Sequence, residues 1–139
     1  MLTADEFVEN FEFLDDWDAR YAYLVELGEA MPPLDEGLRT DENRVQGCIS
    51  KVWVAPLADP QGHGRLRYVG DCDTAIIKGV LAVLVELFSG HTPQEIEALD
   101  IDALFDRIKL AEHLSPNRHF GIYAIVELMK SQARAFAQG

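Results

Sequence analysis

The segment from Thr74 to Ser89 constrains this chain more than any other. At helical spacing its apolar residues Ile76, Ile77, Val80, Leu81, Val83, Leu84, Leu87 and Phe88 nearly surround the axis. A helix that is hydrophobic on all sides must be covered on all sides. The run Ala75 to Phe88 is broken by Lys78 and Glu86 and is too short to cross a bilayer. It therefore predicts a central helix around which a soluble core is built, with Asp73 as its cap and Gly90 as its end.

The flanking sequence says what surrounds it. Thr3 and Glu6 have capping-box spacing and start a first helix. A second begins near Asp16, with Trp17, Tyr21, Leu24, Val25 and Gly28 on one stripe, and ends by Met31 because Pro32 and Pro33 cannot continue it. From Pro32 to Arg44 the chain reads as irregular. The period then changes: Ser50 to Ala58 and Arg65 to Val69 read as strands joined by a turn at Asp59, Pro60, Gln61 and Gly62. Arg44 to Gln46 offers a third, shorter strand, and Pro56 calls for a sheet edge or a bulge. Beyond the central helix, Thr92, Pro93 and Glu95 start a short helix, another follows Asp100, and Ser115 with Pro116 opens a long one. Ile122, Ile125, Leu128 and Met129 form its inward stripe. The expected class is α+β: helices, a small antiparallel sheet of about three strands, then helices. No linker or repeat divides residues 1–139, so one domain is expected.

The chain carries 24 acidic and 12 basic residues, a formal charge of −12. A field of that sign repels phosphate backbones and anionic lipids, which disfavours nucleic acid and membrane partners. It suits a partner with a basic patch, or serves solubility alone. Met1 to Asn10 carries acids instead of a basic leader region, so the cytoplasm is the expected location, with Cys48 and Cys72 both reduced.

Cys48 follows Gly47 and precedes a strand, which places it on a turn held by a rigid hairpin. Glycine at that position lets another molecule's backbone approach. Position alone leaves two readings open, a reactive thiol or a small buried hydrophobe. Thiol chemistry needs the thiolate. Arg44 and Lys51 are the nearby cations in sequence, and the overall acidity works against them. Cys72 lies between Asp71 and Asp73, which disfavours a thiolate, and is read as structural or incidental; a Cys48–Cys72 disulfide stays open, because bridging depends on Cα separation. His63, His91, His113 and His119 are scattered and the two cysteines lack near partners, so no metal site is expected. Arg118, in the first turn of the last helix, opposes the helix dipole and calls for a carboxylate partner, within the chain or across an interface.

Three blocks together resemble the SufE family of cysteine-desulfurase sulfur acceptors. One runs from Pro33 through Trp53, with Glu42-Asn43, Val45, Gly47-Cys48, Ser50 and Val52-Trp53. Another runs from Asp71 to Leu84, with Asp73, Ala75, Ile76, Lys78 and Gly79. The last is His113-Leu114-Ser115-Pro116 with Arg118 and Gly121. The resemblance implies a sheet with helices packed on one side, similar to the fold of IscU-type iron–sulfur scaffolds, and makes Cys48 the persulfide acceptor. Gly47, Ser50, Asp71 and Arg118 become supporting or partner-binding residues. The implied partners are a SufS- or CsdA-like cysteine desulfurase and, downstream, a SufBCD-type scaffold; a homodimer stays open. No cofactor is implied for this chain, since pyridoxal phosphate belongs to the desulfurase, and no independent turnover. Ile49 stands where glutamine is common in the family, His119-Phe120 where small or polar residues are common, and Cys72 where serine is usual. Two alternatives differ in kind. An iron–sulfur scaffold needs about three or four protein ligands, and a Cys-dependent hydrolase needs a histidine brought to Cys48.

Overall fold

The computed structural model describes residues 3–138 apart from Cys48 and Ile49, without the side chains of Ala111 and Asn117. The first helix, α1, spans Ala4–Phe13. Its Thr3 Oγ1 accepts the Glu6 N–H at 3.1 Å and donates to Glu6 Oε1 at 3.2 Å, the expected pairing of cap and third residue. Helix α2 spans Trp17–Glu29, capped by Asp16, whose carboxylate accepts the Ala19 N–H at 2.7 Å. Of the predicted stripe only Leu24 and Gly28 are fully buried, where α2 meets α3; Trp17, Tyr21 and Val25 are half-covered, with Trp17 packed on Phe11 of α1.

Strands β1 (Val52–Ala58) and β2 (Leu66–Cys72) form an antiparallel hairpin in unbroken register from Val52–Cys72 to Ala58–Leu66. The third strand expected at 44–46 is reduced to a single bridge, Arg44 with Trp53. The Val45 N–H donates to Val52 O and the Val54 N–H to Asn43 O, both at 2.9 Å. A turn at 41–43 and another at Gly47 leave too few extended residues for a longer ladder. Pro56 sits without a bulge opposite Tyr68, on the strand whose outer side, among the described residues, carries that bridge and the Gln132 side chain, whose Nε2 donates to Val54 O at 2.8 Å. This is the edge reading of the proline.

Helix α3 (Ala75–Phe88) is the central helix, with Ile77, Val80, Leu81, Val83, Leu84, Leu87 and Phe88 buried. Asp73 does not cap it. The cap position is Thr74, and the Asp73 carboxylate is turned back to accept the Lys51 N–H at 2.9 Å, because the hairpin continues one pair beyond β2. Contact with α2 is backbone to backbone: a Cβ on Gly79 would lie 2.1 Å from Leu24 O. Helix α4 (Pro93–Glu97) has the complete capping box of Thr92 and Glu95, and α5 (Ile101–Ile108) is capped by Asp100. Helix α6 (Pro116–Gln138) lies with α3 against the core face of the hairpin. There the buried Tyr68 hydroxyl donates to Met129 O at 2.6 Å. Burial pushes that phenol's pKa well above its ordinary value.

Candidate functional site

The hairpin's open end carries the segment that holds Cys48. Cys48 and Ile49 lie outside the described residues, but both flanks are fixed. Val45 and Asn43 are tied to β1 on one side. On the other, the Asp73 N–H donates to Lys51 O at 3.1 Å, and the hydroxyls of Ser50 and Thr74 meet at 2.5 Å. Gly47 has a φ of +83°, which a side chain would strain, and its missing Cβ faces open space. Ser50 is thus a clamp residue whose partner, Thr74, the sequence did not reveal, being 24 positions away.

Asp71 lies on the opposite face of β2 from Tyr68, half-buried. Arg39 Nη2 reaches its carboxylate at 2.6 Å and Lys78 Nζ at 3.2 Å, while the Cys72 N–H donates to it at 2.8 Å. Burial alone would raise the Asp71 pKa; those donors overcome it and hold the carboxyl below its ordinary value. Arg39 also stacks 5.1 Å from the Trp53 ring centre, with Arg44 at 5.5 Å from the same ring. Asp71 therefore pins the irregular segment 32–44 onto the sheet. Arg44 covers Trp53 and Lys51 is exposed.

Arg118 lies elsewhere. It borders a groove of about 450 Å³ with Tyr21, Ile76, His113, Leu114 and Ser115. Its N–H donates to Ser115 Oγ at 3.3 Å, and its guanidinium has no carboxylate partner among the described residues. His113 stacks on Trp17 at 3.7 Å, and its carbonyl accepts from the Tyr21 hydroxyl. One of its lining residues, Ile76, is two positions beyond Thr74, the partner of Ser50. Asp71 and Arg118 are not in contact. Asp71 meets α3 through Lys78, whereas Arg118 shares its groove with Ile76, and side chains two apart on a helix point about 200° apart.

Cys72 is buried at 6% exposure, and its sulfur accepts the Thr74 N–H at 3.4 Å. No three His, Cys, Asp or Glu side chains among the described residues converge as metal ligands. No helix among them is long and apolar enough to cross a membrane.

The fold and these flanks define an α+β domain in which the residues on either side of Cys48 are fixed to a hairpin and to the start of its central helix. The SufE family, described as an Fe-S metabolism associated domain, matches residues 5–133. An uncharacterized SufE-like protein of Rhizobium etli is 39% identical, covering 99% of this chain and 93% of its own. Another, from Rhizobium meliloti, is 38% identical over 96% of each. The solution structure of a hypothetical protein from Thermus thermophilus superposes with a TM-score of 0.79 over 98% of this chain and 96% of that one, at 20% identity, which is a likeness of fold. The chain belongs to the SufE family, and so to iron–sulfur metabolism.

Proposed function

We propose that this protein is a sulfur carrier: Cys48 accepts a persulfide sulfur from a SufS- or CsdA-like cysteine desulfurase in the cytoplasm and passes it to a SufBCD-type scaffold. The observation that carries the reading is the double clamp on the Cys48 loop, Val45 with Val52 on one flank and Ser50 with Thr74 on the other. A loop fixed at both ends presents its thiol to a partner at low entropic cost, which an accepting group requires. Family membership supplies the metabolic setting.

In the transfer, the Cys48 thiolate attacks the outer sulfur of the desulfurase persulfide. The new S–S bond forms as the old one breaks, and its electron pair leaves on the desulfurase sulfur as a thiolate. The carrier needs no cofactor for this exchange, and it speeds the desulfurase by freeing that enzyme's nucleophile. Cys72, buried between two acids, takes no part.

Incubation with a desulfurase and L-cysteine followed by intact-protein mass spectrometry tests this directly. Wild type and Cys72→Ser are expected to gain one sulfur atom, lost again on reduction, and Cys48→Ser to gain none while keeping its fold. Equal labelling of Cys48→Ser would overturn the assignment.

A further inference from the structure

The outer edge of β2 is closed over only part of its length. In this register the even residues of β2 direct their main-chain groups away from β1. Leu66 uses both of its groups, accepting the Gly90 N–H at 2.7 Å and donating to His91 O at 2.8 Å. The Tyr68 N–H donates to Ser89 Oγ at 2.9 Å. Beyond that point Tyr68 C=O and the N–H and C=O of Gly70 have no hydrogen-bond partner among the described residues. Tyr68 and Gly70, both buried in the free chain, line a groove of about 510 Å³ whose walls are mainly apolar, with Leu27, Met31, Pro32, Ala82 and Val83.

We infer that this groove receives an extended segment of a partner protein, added to β2 as a third strand, in which basic side chains alternate with small apolar ones. Main-chain donors and acceptors repeating along a strand match another strand's main chain, and an apolar wall beside them takes every second side chain. Charge selects the segment. The groove's lining includes Asp59 and Glu86 against Arg67, and the whole chain carries −12. A second copy of this chain would bring the same negative charge to the edge, whereas a basic segment is attracted to it. The site is independent of the sulfur chemistry of Cys48.

The probe is the peptide Ac-Lys-Val-Lys-Val-Lys-NH2, titrated to the millimolar range typical of a short strand into the ¹⁵N-labelled full chain. The Gly70 amide signal is expected to move downfield, the direction of a newly formed N–H···O=C bond. The acidic counterpart with Glu for Lys, and an analogue methylated on every backbone nitrogen, are expected to leave it in place. Ala30→Arg, at the exposed end of α2 where it fills and charges the groove, is expected to abolish the response with the rest of the spectrum unchanged. An unmoved Gly70 signal, or an equal response to the methylated analogue, overturns the inference. A Gly70 shift that grows with protein concentration without peptide also overturns it, by making a second copy the occupant.

Discussion

Asp71 illustrates how a residue singled out for partner binding is committed to the fold in which it sits. Its carboxylate holds Arg39, Lys78 and the Cys72 N–H together, and Arg39 in turn covers Trp53. Asp71→Asn removes the charge but not the volume, and a hydrogen bond to a charged group contributes about 1.5–3 kcal/mol. We expect a loss of that order at pH 7, measured by urea unfolding. The pH dependence has a definite sign. The folded carboxyl titrates below its unfolded value of about 4, so its contribution is complete above that pH and is lost as pH falls below it. The gap between wild type and Asp71→Asn should therefore narrow below about pH 4; a constant gap would mean that the carboxylate's charge is not what stabilises. Sequence position gave no sign of Arg39, 32 residues away. Two cations reaching one aspartate is a product of chain crossing.

At the level of elements, the contact between α2 and α3 rests on the absence of side chains. Gly79 would need its Cβ 2.1 Å from Leu24 O, and a Cβ on Gly28 would come within 2.9 Å of Gly79 N. In an isolated helix alanine is favoured over glycine by about 1 kcal/mol. Here the clash is with backbone, which cannot swing aside, so Gly79→Ala is expected to destabilise by about 3 kcal/mol or more. Gly37→Ala is the control, since the nearest atom to its Cβ is an Asp35 oxygen at 3.6 Å, and its change should stay within about 0.5 kcal/mol. Urea midpoints of the two variants decide it, and equal midpoints would remove the close approach as a determinant. The sequence placed Gly28 on the buried stripe of α2 and Gly79 in the central helix. That the two meet is a fact of packing.

For the molecule as a whole, the formal charge of −12 separates two roles, solubility and steering. If a basic desulfurase surface is the partner, association is screened by salt. The apparent affinity should then fall about tenfold between 50 and 300 mM NaCl, as the Debye length drops well below about 10 Å. Surface plasmon resonance at several ionic strengths measures it, and a flat response would assign the charge to solubility alone. Sequence by itself determined the order of helices and hairpin, the caps at Thr3 and Thr92, the helix starts near Asp16 and after Asp100, and the central helix. Each of these follows from periodicity, turn chemistry or capping within a few residues. Only the tertiary structure decided that segment 44–46 makes a bridge in place of a strand, that Asp73 turns to Lys51 instead of capping α3, and that Ser50 is clamped by Thr74. Those outcomes are competitions between distant groups for the same hydrogen bonds, and such competitions are settled only once the chain has folded back on itself.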